Sequence, residues 1–128
     1  MLARYQIVRG KRPRGNPLPA GRRIDVRTHR RHVLSPDSSE VAALLADPSD
    51  AQFAKYRRAY EALLAQRFAE DRAPFDALAR AAQDGDVYIG CNCPTRRNPD
   101  VQHCHTTLAL RFMRRKYPKL RVQLPGSG

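Results

Sequence analysis

Residues 86–93, DVYIGCNC, constrain the fold more than any other stretch of the chain. This short apolar run follows Gly85 and leads into a polar loop, PTRRNPDVQ (94–102), and then an amphipathic segment from Cys104 to Tyr117. An apolar run of this length between turn signals reads as a buried strand. A buried strand, a loop and a helix in succession form the repeating unit of an α/β domain. The strand is expected over 87–93 and the helix over 104–116. Ala109, Phe112 and Met113 should face inward, and Arg111, Arg114, Arg115 and Lys116 mostly outward, with Pro118 ending the helix.

The chain before this unit changes period twice. YQIVR (5–9) and the alternating Ile24 and Val26 suggest two short strands, the second at a sheet edge. The Gly/Pro-rich GKRPRGNPLPAG (10–21) between them reads as a loop. RGNPLPAG within it lacks the Lys-Ser/Thr ending of a phosphate-binding loop, so a basic turn is expected. From residue 35 the pattern becomes helical. Asp37 with Glu40 three residues later forms a capping-box pattern, and Val41, Leu44 and Leu45 share a helical face. Ser49 starts a longer helix over about 50 to 70, carrying Phe53, Tyr56, Tyr60, Leu63, Leu64 and Phe68. Pro74 starts a third, with Phe75, Leu78 and Ala82 inward. LRVQL (120–124) is expected as a last strand.

These elements predict an α/β class fold: a single small Rossmann-like domain over 1–128, its largely parallel sheet flanked by helices. A basic segment, 1–35, precedes the helical region, and 125–128 form a loose tail. The length suits one core. No apolar run approaches the roughly 20 residues of a membrane span. The N-terminus lacks the apolar core of a signal peptide, and three cysteines argue against a disulfide framework. A cytoplasmic protein with no membrane partner is therefore expected.

Charge narrows the partners. The net charge is +12, distributed as +9 over residues 1–35, −4 over 36–90 and +7 over 91–128. If the two basic ends meet in space they form one positive face, suited to an anionic ligand, a nucleotide or nucleic acid. A solubilising surface rich in arginine explains the same excess.

All three cysteines and two of the four histidines lie within residues 90–107. Cys91 and Cys93 should project to one side of their strand, and Cys104 should open the next helix. In α/β sheets, ligands gather where strand ends meet helix starts. Three readings stay open. Cys91, Cys93, Cys104 and a histidine, His103 or His105, have the donor types of a zinc centre, although Cys-x-Cys is not the usual knuckle spacing. Cys104 at a helix start, beside His103 and His105, has the features of a reactive thiolate, with Arg96 and Arg97 holding an anionic substrate. Cysteine is also among the most buried residue types, so all three can be core residues.

VYIGCNCP, the loop, and Cys104-His105 opening an amphipathic helix resemble a group of small uncharacterised bacterial and phage domains. Their signature is Cys-x-Cys-Pro followed by Cys-His. FAKYRRAYEALL and RIDVRTHRRHVLSP are similar to that group as well, so the resemblance spans roughly residues 22–117. It maps onto Cys91, Cys93, Pro94, Cys104 and His105, and implies a Rossmann-like fold with no assigned reaction. Thr106 departs from it, because an arginine often follows Cys-His in the group. The loop before His103, with Arg96 and Arg97, is longer.

The leading expectation is an enzyme or enzyme-like domain handling a nucleotide or other phosphorylated ligand, with Cys104 and His105 catalytic and Arg96 and Arg97 ligand-binding. The alternative is a non-catalytic nucleic-acid-binding module whose Cys91, Cys93, Cys104 and His105 clamp a structural zinc. A third is a small phage-type protein that inhibits a host protein partner.

Overall fold

The computed structural model describes residues 1–126. Three strands, β1 (Leu2–Gln6), β2 (Arg22–Asp25) and β3 (Val87–Cys91), form a parallel sheet in the order β1-β3-β2. The latest strand in sequence is therefore the central one. Its Val87 and Ile89 are buried, as the apolar run requires. Parallel neighbours need long crossovers. The crossover from β2 to β3 carries α1 (Ser38–Ala46), α2 (Asp50–Glu70) and α3 (Ala73–Asp84), and α4 (His105–Lys116) follows β3. The α/β class is thus as expected.

Local chemistry sets the helix starts. Asp37 accepts a hydrogen bond from Ser39 N, Ser49 accepts one from Gln52 N, and Pro74 sits in the first turn of α3. Each side-chain cap satisfies an otherwise orphaned amide. Tyr56, Tyr60 and Leu64 of α2 face the core at one-turn spacing, where Tyr60 donates to Leu34 O at 2.6 Å. Phe75 of α3 packs against Phe68 and Phe112, with ring centroids 5.3 and 5.6 Å away, which seats α4. No described helix is long and apolar enough to cross a membrane.

Three strand expectations shift. β3 ends at Cys91 rather than Cys93, where its last pairing with β1, Gln6 to Cys91, is made. β1 begins at Leu2, three residues earlier than YQIVR suggests, because Leu2 is fully buried and pairs with Val87. Residues 120–124 make a single bridge, Leu2 to Val122, in place of a strand. The turn from Tyr117 to Leu120 and the turn at Pro125 leave too little chain between them for more. That bridge joins the two basic ends of the chain. Residues 127 and 128, the end of the expected loose tail, lie outside the described residues.

On the opposite side of β3 the ring of Tyr5 lies against Gly90, where a Cβ would come within 2.6 Å of a ring carbon. The basic turn at 12–16 is closed by Arg12, which donates to Asn16 O at 2.9 Å and to Gln6 O at 2.5 Å.

Candidate metal centre

β3 ends at Cys91, and Cys93 lies just past it. The following loop is tied back on itself: Thr95 N donates to Asn98 O, and Asp100 caps a single 3-10 turn, Val101–His103, through Gln102 N. The chain then returns Cys104 to the strand end as the N-cap of α4. The outcome is a cluster in which the sulfurs of Cys91, Cys93 and Cys104 lie within 4.8 Å of one another, a group that could hold a metal ion. Cys104 is buried, at 1% exposure, and the other two are half-buried.

His105 stands beside the sulfurs. Its Nε2 is 2.9 Å from Val26 O, and its Nδ1 is 4.0 Å from Cys104 Sγ. A carbonyl only accepts, so Nε2 carries the proton and Nδ1 faces the sulfur. Metal-ligating histidines characteristically have their second ring nitrogen tied this way. His103 is turned elsewhere, stacked on Phe53 with centroids 4.0 Å apart.

Two side chains direct hydrogen-bonding atoms at the cluster. Asn98 Nδ2 donates to Cys93 Sγ at 3.3 Å, and Thr106 Oγ1 lies 3.1 Å from Cys104 Sγ. Arg4 Nε in turn donates to Thr106 Oγ1 at 2.9 Å. The sequence reading missed Arg4 and Asn98 altogether and noted Thr106 only as a departure. Its one available signal was Thr106-Thr107 on the strongly buried half of α4, since a buried hydroxyl requires a partner.

Without metal, the charges in the cluster interlock. Hydrogen bonds from Cys91 and Cys93 hold the Cys104 thiol well below its ordinary range against the opposing effect of burial, and His105 adds to this. The same bonds to Cys104 push Cys91 up, and Cys93 up to about 11. Burial lowers the His105 pKa, but the neighbouring thiolate outweighs it and lifts the value to about 10. Proximity thus shifts the groups in opposite senses, Cys104 toward the thiolate, Cys91 and Cys93 toward the thiol and His105 toward the imidazolium.

The pH dependence follows from these directions. His105 gains a proton on folding between its ordinary 6.5 and about 10, while Cys104 loses one below its ordinary 9.0. Above 9.0 the raised groups, His105, Cys91 and Cys93, keep protons that the unfolded chain releases, so stability falls as pH rises from there. The lowered Cys104 acts with the opposite sign: its contribution is complete above 9.0 and is lost as pH falls through its folded value. Denaturant midpoints of chelated protein should therefore decline as pH rises from 9.0 toward 10. A midpoint rising steadily through 9.0 contradicts the arrangement.

A cleft of about 320 Å³ opens over the sulfurs. Val41, Leu44 and Leu45 of α1 and Tyr56 of α2 form an apolar wall; Arg27, His29, Arg97 and Asn98 line the polar side. Arg27 is already committed: it holds Asp25 through Nε and Nη2, the latter at 2.7 Å, and Asn92 through Nη1. Partial burial raises the Asp25 pKa, but hydrogen bonds from Arg27 and Arg30 win and hold it far below the usual carboxylate range. Arg97 lines the cleft and has no ion-pair partner among the described residues, whereas Arg96 is exposed outside the lining. Comparison with family models, curated proteins and solved structures finds no match to this chain.

Proposed function

We propose that this domain binds a phosphorylated ligand of the nucleotide class in the cleft, over a zinc ion held by Cys91, Cys93 and Cys104 with His105 as the fourth donor. The observation that carries this reading is the gathering of three sulfurs at the floor of a cleft with one apolar and one polar wall. Zinc–sulfur bonds of about 2.3 Å give tetrahedral sulfur–sulfur edges of about 3.8 Å, so small side-chain adjustments suffice. The burial of Cys104 favours a ligand over a nucleophile, which must be reached by its substrate. A flat base suits the wall of Leu44, Leu45 and Tyr56, and Arg97 offers the uncommitted charge for the phosphate. Three free thiols suit a reducing cytoplasm.

Calorimetric titration of the zinc-loaded protein with adenosine monophosphate, adenosine and inorganic phosphate tests this. The monophosphate should bind tightest, and Arg97→Ala should weaken it about tenfold, in line with the loss of a charge-assisted hydrogen bond. Zinc binding with no response to any of the three ligands overturns the nucleotide part.

A second reading has its own observation. The Leu2–Val122 bridge brings the basic ends together, which favours a nucleic-acid-binding module with a structural zinc clamp. Its duplex binding should weaken steeply with salt, as counterion release demands.

A further inference from the structure

We infer that Arg4 and Thr106 form a relay that aims a hydroxyl proton at the sulfur of Cys104, making both of them positioning residues of the metal centre. The inference rests on the reading that Cys91, Cys93 and Cys104 hold a metal. It adds two residues from outside the Cys-His motif, which lie 102 positions apart in sequence.

The direction of the relay follows from the hydrogen-bond inventory. Thr106 is fully buried, so its hydroxyl must find partners inside the protein. Arginine has donors and no acceptor. The 2.9 Å contact from Arg4 Nε therefore makes Thr106 Oγ1 an acceptor there. The one hydroxyl hydrogen is left to point elsewhere. Among the described residues the partner left to accept it is Cys104 Sγ, 3.1 Å away. A metal-bound thiolate carries no proton and can only accept, so in the loaded site the bond runs from Thr106 to the sulfur.

Arg4 is itself held at the site. Its Nη2 donates to Cys93 O at 2.5 Å. One guanidinium thus spans the backbone of one cysteine and the hydroxyl that serves another, reaching from β1 to α4. A buried thiolate needs donors of this kind to offset its desolvation, and partners outside the ligand set orient the ligands and tune the metal. Asn98 treats Cys93 Sγ similarly from the loop.

Cobalt(II) is the probe, since its sulfur-to-metal charge-transfer band reports on the thiolates directly. Thr106→Val keeps the shape of the side chain and removes the hydroxyl; Thr106→Ser keeps the hydroxyl. Thr106→Val should bind cobalt about 10- to 100-fold more weakly. It should also shift the band to lower energy, because a sulfur lone pair without its hydrogen bond gives up an electron more easily. Thr106→Ser should restore both. Arg4→Gln should shift the band in the same direction by a smaller amount, and it carries the test if Thr106→Val does not fold. If wild-type protein binds cobalt while Thr106→Val and Arg4→Gln match it in affinity and band position, the relay is wrong and the metal reading stands. If wild-type protein binds no cobalt, the metal reading fails and takes the relay with it.

Discussion

Zinc added to metal-free protein is expected to raise its thermal unfolding midpoint by about 10–20 °C, and Cys91→Ser, Cys93→Ser and Cys104→Ser should each remove most of that gain. The unfolded chain has no assembled site, so binding energy appears as folding energy. A ligand at a thousandfold excess over its Kd stabilises the folded state by about 4 kcal/mol. In a chain of this size each kcal/mol moves the midpoint by about 3–5 °C. The three sulfurs come from the end of β3, the residue next but one, and the N-cap of α4, so the metal ties strand to helix across the loop. Serine offers a hard, protonated oxygen in place of a soft thiolate, which zinc takes poorly. Differential scanning calorimetry of the four proteins, with and without zinc, checks this. A midpoint indifferent to zinc, or a serine variant that keeps the full gain, contradicts the metal centre.

Phe75→Ala is expected to cost about 3–5 kcal/mol, a large share of the roughly 5–15 kcal/mol that stabilises a typical domain. Phe75 is fully buried and bridges α3 to Phe68 of α2 and Phe112 of α4. Truncation removes the ring's contacts and leaves a cavity that the three helices cannot close without moving. Whatever fraction remains folded should still bind metal with nearly unchanged affinity, because the ring packs on Phe68 and Phe112 and is not part of the cleft lining. Urea denaturation gives the stability and cobalt titration of the folded fraction gives the affinity. A loss below about 1 kcal/mol means the site collapses freely and the core is not close-packed there. This variant is the converse of Thr106→Val, which should strike the metal centre while leaving the core filled.

Much of the architecture was legible in the sequence because its signals are local. Asp37, Ser49 and Pro74 mark helix starts through chemistry that acts within three residues, and the spacing of Tyr56, Tyr60 and Leu64 specifies a face. The apolar run before Cys91 identified the central strand, and the position of Cys104 at a helix start brought the three cysteines to one end of the sheet. Where the local signal was weak, tertiary pairing decided. The alternation of 5–9 is shallow, so β1 took the register that buries Leu2 opposite Val87. Residues 120–124 have strand-forming composition, yet Val122 pairs with Leu2 in an isolated bridge.

The site divides along the same line. The sequence by itself determined which residues carry sulfur and imidazole, and that Cys91, Cys93, Cys104 and His105 sit at a strand end and a helix start. It did not determine that Arg97 rather than Arg96 lines the cleft, that His105 turns Nδ1 to the sulfurs by tying Nε2 to Val26, or that Arg4 and Thr106 meet beside Cys104. Those outcomes depend on side-chain direction and on partners 79 and 102 residues distant. A periodic pattern records which side of an element is apolar; it holds no information on which buried donor will meet which acceptor. Burial makes each such pairing obligatory, and only the packed chain decides the partner.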